Sequence, residues 1–434
     1  IKRVVKEELE RIMGIEVMMI PIIPSTDILH NSKIENIITA VALHTEGCMK
    51  KERVAIIVRI LWTGGVSRVA ILQQQALRKL GIQSDLIFIR DAGSAYSLPE
   101  GTIVMNKRES DNRQSSKLFA AITKKFAGHR GNEATVDVDL LFSALPTLRN
   151  YDALVFHDQW SALFGPLLRI MGIPYILILH EFFRPPPTSK KLSVLSLFAW
   201  VYDVFSILMA PSVMTTSQYN YELARRLKAG VFLNRIGAPT PISPEDLDQK
   251  FNNTRKQVLS LSLWDKGRKP EFYASLASIL PDIDFTLAGS WTVDEEYRKF
   301  KEEHRSIRNL VVTGRISEEQ RELLFQGADF YIRIGYNERG PGMGGLEAMS
   351  KGLIPITNKS LGLSEILADG VNGFILEEPL LETAINVLTM LSDMSREELI
   401  EIAKNTLKLC AENSWEQNAK SIVTAFKNIG MRLQ

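Results

Sequence analysis

Apolar positions along this chain fall into two alternating regimes. Short unbroken runs such as Ala153–Phe156 (ALVF) and Tyr175–Leu179 (YILIL) have the length and composition of strands buried on both faces. Between several of them, apolar residues recur three and four positions apart, the period of one helix face. In the first half, strands are expected at residues 53–59, 85–89, 153–156, 175–179 and 213–215, and residues 66–80 read as a helix stopped by Gly81. In the second half, runs at 258–263, 285–288, 310–312, 330–334 and 353–357 alternate with helices at 271–279, 317–326 and 343–351. Strand-helix alternation repeated in this way predicts an α/β chain of two doubly wound parallel sheets. Ligands of such sheets bind beyond the carboxyl ends of strands, and paired domains leave a cleft there.

Punctuation of the pattern places the boundaries. Pro239, Pro241, Pro244 and Gly237 interrupt it over residues 237–246, which reads as a linker. Domains are therefore expected at 51–238 and 239–413, with an extension at 1–50 and a last helix within 414–434. That helix opens with SWEQ, a capping box in which Ser414 caps and Gln417 reaches back. In the extension, Ser32 is placed to cap a short helix.

Composition narrows the function classes. Of 434 residues, 45% are hydrophobic and 24% charged, ordinary values for a globular chain, and the net charge of +2 gives no reason to expect a nucleic acid partner. Cys48 and Cys410 lie far apart without metal spacing, and the first fifteen residues are too charged for a signal peptide, so a cytoplasmic location is expected. The most apolar segment, 192–210, is near bilayer-spanning length, but Asp203 breaks it and a strand follows, which favours a buried helix. The alternative is peripheral membrane contact at the inner face, with Lys190 and Lys191 beside Leu195, Phe198, Trp200, Val201 and Phe205. The histidines and cysteines form no ligand cluster, and no metal is expected.

The chemistry concentrates in DFYIRIGYNERGPGMGGLEAMSKG, residues 329–352. A strand-like run gives way to a glycine-rich loop, and a helix opens with the carboxylate of Glu347. The backbone N–H groups of Gly342, Met343, Gly344 and Gly345 can close on a phosphate at the positive end of that helix. Gly340, Gly342 and Gly345 also satisfy G-x-G-x-x-G. A dinucleotide site, however, wants its first glycine directly after the strand and an acid at the next strand's end, where Asn358 and Lys359 stand. A P-loop fails because Leu346 follows Gly345. A tight strand-to-helix turn without ligand remains the plain alternative.

The run ADFYIRIGYNERGPGMGGLEAMSKGLIPITNKSLGLSEILADGVNG, from Ala328 to Gly373, resembles the donor half of retaining glycosyltransferases of the glycogen-synthase-like group, glycosyltransferase family 4 type, with the GT-B fold of two Rossmann-like domains. The resemblance implies a nucleoside diphosphate sugar as donor substrate, no separate cofactor, and a last helix that crosses back onto the first domain. One departure stands out. The family's E-x7-E motif has seven residues between its glutamates, whereas eight separate Glu338 from Glu347, and Arg339 stands where the first glutamate belongs.

The resemblance also suggests roles. Glu347 would accept the two ribose hydroxyls, for which a carboxylate has suitable geometry; alone, it also reads as an ordinary first-turn acid complementing the helix dipole. Glu338 would contact the sugar through a one-residue bulge, or Arg339 would take its place. Lys269, followed by Pro270 and Glu271, matches the lysine that meets the diphosphate; the family's strand-end arginine is missing, and Arg268 is its candidate substitute. His157, at the end of ALVF, resembles the histidine lying against the reacting sugar, and His180 a second strand-end histidine. Gly64 and Gly65 resemble a loop that approaches the phosphates from the first domain. Ser364 and Glu365 fall in the G-x-x-E-I-I segment near the donor, and Arg315 near the base.

Together these readings predict a metal-independent hexosyltransferase that transfers with retention to an unidentified acceptor. A non-catalytic nucleotide-sugar-binding regulator, motivated by Arg339, and a sugar-nucleotide epimerase on the same fold are the alternatives. Loops of the first domain within residues 94–132 are expected to select the acceptor and carry no readable motif.

Overall fold

A computed structural model describes residues 52–62, 65–93, 96–105, 138–180, 194–335 and 340–433. Gly64, Glu338, Arg339, Lys190, Lys191, the extension with Ser32, and much of the loop region 94–132 lie outside the described residues.

The first lobe runs β1 (Arg53–Leu61), α1 (Gly65–Lys79), β2 (Gln83–Asp91), β3 (Thr102–Val104), α2 (Val138–Leu148), β4 (Ala153–Phe156), α3 (Gly165–Ile170), β5 (Tyr175–Leu179), α4 (Val194–Met209), β6 (Ser212–Thr215), α5 (Gln218–Leu227) and β7 (Val231–Leu233). The second runs β8 (Gln257–Leu261), α6 (Pro270–Ile279), β9 (Asp284–Ala288), α7 (Asp294–Glu303), β10 (Leu310–Gly314), α8 (Glu318–Gly327), β11 (Phe330–Arg333), α9 (Met343–Ser350), β12 (Ile354–Asn358), β13 (Phe374–Leu376), α10 (Leu381–Asp393), α11 (Arg396–Glu412) and α12 (Trp415–Asn428). Each lobe holds one parallel sheet, ordered β3-β2-β1-β4-β5-β6-β7 in the first and β10-β9-β8-β11-β12-β13 in the second. The strand order reverses at β1/β4 and at β8/β11, the places where doubly wound sheets open a crevice for ligands.

The strands form where apolar runs are long enough to be covered on both faces. β1 carries Val54, Ala55, Ile56 and Ile57 with no exposed surface, and alternate residues enter two different cores. α12 supplies one of them: Ala419, Ile422, Ala425 and Phe426 pack with Val54, Ile56 and Met214 of the first sheet. The last helix therefore completes the lobe that the chain built first. Its cap is half of the expected box, since Ser414 Oγ accepts from Gln417 N at 3.3 Å, and the return bond from the Gln417 side chain is not formed. The linker meets the same corner. Ala238 N donates to Asn413 O at 2.7 Å, and a Cβ on Gly237 would sit 2.6 Å from Trp415 Cα, so only glycine fits.

α4 is the apolar segment of ambiguous sequence. Among the described residues no helix is long and apolar enough to cross a membrane. Asp203 and Ile207 are buried, while Val201, Phe205 and Leu208 are about half exposed. Tyr202 stacks on Trp160 at 4.4 Å and its hydroxyl donates to Gln159 O at 2.7 Å. Burial pushes the Asp203 carboxyl up to about 7, against a hydrogen bond from Gln159 and with the charge of Asp158 adding to the rise. Because its folded value lies above the unfolded one, ionising Asp203 costs stability as pH rises from about 4 to 7. Asp203→Asn keeps the acceptor for Gln159 and removes that cost. Urea unfolding should show a gain of roughly 2–4 kcal/mol above pH 7, shrinking towards pH 4; an equal gain at both pH values would mean that ionisation is not the cause.

Candidate functional site

In the second lobe, the turn after β8 is built around Asp265, whose carboxylate accepts from Arg268 N at 3.0 Å and ends the strand in a tight 3₁₀ turn over Lys266–Arg268. Lys269 follows in the left-handed conformation, φ 49°, which is costly for a residue with a Cβ, and Pro270 then starts α6. The strained residue is the lysine that the sequence singled out, and such strain is characteristic of functional positions. Arg268 is anchored by a 2.7 Å bond to Ser262 Oγ, while Lys266 is nearly fully exposed and pairs with Glu296.

The loop after β11 lies beside this turn, since a Cβ on Gly335 would be 3.4 Å from Gly267 O. Asn358, at the end of β12, accepts from Gly335 N at 3.0 Å and donates to Gly335 O at 3.1 Å. The amide thus fixes the backbone where the chain leaves the sheet. Gly342, φ 72°, is the N-cap of α9 and has no side chain with which to cap that terminus. As the first residues of the helix, Met343, Gly344 and Gly345 have N–H groups with no acceptor within the helix. Close packing also demands small residues here: a Cβ on Gly344 would lie 3.0 Å from the Tyr331 hydroxyl and 3.4 Å from Leu261 O. These glycines bring the helix start against the carboxyl end of β8.

Glu347, one turn into α9, is buried, and burial raises its carboxyl above the usual range while Arg68 and Arg321 pull it back. Arg68 Nη2 lies 2.9 Å from Oε1, and Arg321 Nη1 lies 3.6 Å from Oε2. Yet Oε1 accepts no hydrogen bond from a described residue. Arg68 and Arg321 are functional candidates that sequence reasoning missed. An arginine three residues into a helix has no local signal of what it meets across a cleft.

In the first lobe, His157 follows β4 and is buried. Its Nε2 lies 2.8 Å from Gln73 Oε1 and its Nδ1 2.9 Å from His180 Nε2. The tautomer follows from the amides. Asn418 Nδ2 donates to Arg235 O, and Gln73 Nε2 donates to Asn418 Oδ1 at 2.9 Å, so Gln73 turns its oxygen to His157. His157 therefore carries its proton on Nε2 and accepts from His180. Burial, followed by the proximity of His180, holds the His157 pKa well below the ordinary histidine value and the ring neutral. His180 is less buried and stacks on His157, with centroids 5.1 Å apart. Both histidines sit at strand ends on the cleft edge, and a relay from α12 through α1 orients them.

Other candidates are placed differently. The Glu365 carboxylate of the second lobe accepts from Gln218 N at 2.7 Å and Tyr219 N at 3.3 Å, capping first-lobe α5. The Ser364 hydroxyl donates within its own turn to Leu361 O. Gly65 opens α1, but a Cβ there would meet nothing within 4 Å, so packing does not require that glycine. Arg315 is exposed just past β10. Asp158 is engaged by Arg59 at 3.1 Å and Ser161 N at 2.5 Å.

A family model described as "Glycosyl transferases group 1" matches residues 249–406, the part that contains the turn, the loop and α9. Lipopolysaccharide 1,2-N-acetylglucosaminetransferase of Salmonella typhimurium is 29% identical over 120 residues, 27% of this chain and 31% of that protein. The chain thus matches about a third of that relative's length. Solved structures with similar folds include Anabaena HepE in complex with UDP and glucose (TM-score 0.63, 15% identity, 87% of this chain and 100% of that one). Sucrose-phosphate synthase from Thermosynechococcus elongatus (TM-score 0.66, 17% identity, 87% and 99%) and TarM (TM-score 0.66, 12% identity, 87% and 99%) are further neighbours. The chain has the GT-B fold, and residues 249–406 of its second lobe match the glycosyl transferases group 1 model.

Proposed function

We propose that this protein transfers a glycosyl group from a nucleoside diphosphate sugar held by the second lobe to an acceptor held by the first. The observation that carries this reading is Glu347: a buried carboxylate flanked by two guanidinium groups, one turn from a helix start whose N-cap is glycine. Two hydroxyls of a ribose would satisfy the carboxylate, and the diphosphate would then reach the N–H groups of residues 343–345. HepE, a fold neighbour, is known in complex with UDP-glucose, which supports a uridine donor.

In this reading Arg268 and Lys269 meet the charge that grows on the departing diphosphate, and Lys269 is held there by its strained backbone. Among the histidines, the less buried His180 would face the sugar from the first lobe, with neutral His157 behind it accepting its Nε2–H. Transfer with retention and without a metal follows the resemblance to the glycogen-synthase-like group. The similarity to a lipopolysaccharide sugar transferase supports a saccharide acceptor, and one on a lipid would suit α4. There Val201, Phe205 and Leu208, at i, i+4 and i+7, form an exposed apolar stripe.

Glu347→Gln should weaken UDP binding by roughly 100-fold, as expected for two hydrogen bonds to a charged group, read by calorimetry; unchanged affinity would remove the donor-site assignment. Lys269→Ala should lower kcat for diphosphate release by about 10² to 10³ with a smaller change in donor KM, because its charge acts on the transition state. An effect confined to KM would make it a ground-state binder. Co-sedimentation with anionic vesicles should fall when Phe205 and Leu208 are replaced by serine, and equal pelleting of both proteins would exclude this stripe as the contact.

A further inference from the structure

Arg68 stands on first-lobe α1, yet its guanidinium lies among second-lobe carboxylates. Its Nη2 is 2.9 Å from Glu347 Oε1, and its Nη1 is 3.3 Å from Glu318 Oε1. Arg321, from α8, pairs with the same two acids. The square is asymmetric in burial: the Glu347 side chain is 8% exposed and that of Glu318 is 66%. Glu318 is therefore a solvated rim charge, and Glu347 is the group whose ionisation depends on its partners. The Tyr96 ring lies against Arg68, 5.8 Å from Cζ to centroid, and screens the pair on one side.

Arg68 and Glu347 form a close ion pair across the lobes. The guanidinium supplies charge at one oxygen, and a carboxylate has further lone pairs for donors. A buried acid needs that combination to receive hydroxyl groups: enough positive potential to stay ionised, and open sites for donors. Arg321 lies farther from the carboxylate, so the nearer cation comes from the opposite lobe.

We infer that Arg68 is a positioning residue of the donor site, which holds the Glu347 carboxylate ionised and aimed at the ribose diol and thereby makes ribose recognition depend on the approach of the two lobes. The inference rests on the reading of Glu347 as the ribose acceptor. Among the described residues, removing Arg68 leaves Arg321 as the remaining cation near Glu347, opposed by Glu318 and Glu322 of α8, with Tyr96 as a titratable neighbour from the first lobe. Burial already raises the carboxyl, and loss of Arg68 raises it further. The ionised fraction then falls at a higher pH than in the wild type.

The test compares UDP with 2′,3′-dideoxy-UDP by calorimetry from pH 5.5 to 8.5, using the full chain and the Arg68→Gln, Arg68→Lys, Arg321→Gln and Glu347→Gln variants. The wild type should prefer the ribose form by at least tenfold across the range. Arg68→Gln should narrow that preference severalfold at low pH and regain part of it as pH rises. Arg68→Lys should restore most of it, and Arg321→Gln should narrow it less. If Arg68→Gln weakens both nucleotides equally at every pH, or alters neither, the inference is overturned. Should Arg68→Gln fail to fold, Arg68→Met decides in its place, and a ribose preference that it leaves unchanged at every pH overturns the inference as well. A wild type without preference, together with an inert Glu347→Gln, would instead remove the ribose assignment itself.

Discussion

Parallel pairing is the constraint on which the rest of this molecule depends. When all strands of a sheet run the same way, each connection must return over a face, and helices cover both sides. Every carboxyl strand end then emerges at one edge. Leu261, Arg333 and Asn358 leave the second sheet at that edge, as Phe156 and Leu179 leave the first. The polar residues that follow them converge because the backbone leaves them no other place: the turn at 265–269, the loop at 335 and 340–345, His157 and His180.

The lobes are joined by more than their linker. α12 leaves the second lobe and buries Phe426 and Ile422 in the first, at a cost in hydrophobic exposure that would be large if the two parted there. The polar side of that helix is equally committed. Asn418 orients Gln73, Gln73 fixes the proton of His157, and His157 accepts from His180. One helix therefore ties the chain together and sets a tautomer. Across the cleft mouth, Glu365 caps α5 and Arg68 reaches Glu347, beside an apolar contact in which Val69 of α1 joins second-lobe residues such as Phe325 and Leu346.

Much of this was legible along the chain. Runs such as Ala153–Phe156 and Tyr175–Leu179 coincide with their strands because an apolar run buried on both faces has sharp polar ends. Short edge strands escaped. Thr102–Val104, Val231–Leu233 and Phe374–Leu376 have three residues each and pair on one side, so their hydrophobic signal is too brief to separate from a loop. The glycine-rich start of α9 was also legible, since Gly342 needs a positive φ and Gly344 a close approach, both of which depend on residue type alone.

What the sequence alone determined was the alternation of strands and helices, the two sheets, and the local devices at their ends. Those rest on periodicity, apolar runs and backbone stereochemistry, which neighbouring residues carry. Only the tertiary structure decided what each charged side chain meets. Glu365 turned to a helix start in the other lobe, His157 turned inward to Gln73, Asp203 entered the interior of the first lobe, and Arg68 crossed to Glu347. Such pairings join residues up to 279 positions apart, as Arg68 and Glu347 are (347 − 68). Electrostatic partnership is set by distance in space and by the loss of water around it, and neither quantity is written in the spacing of a sequence.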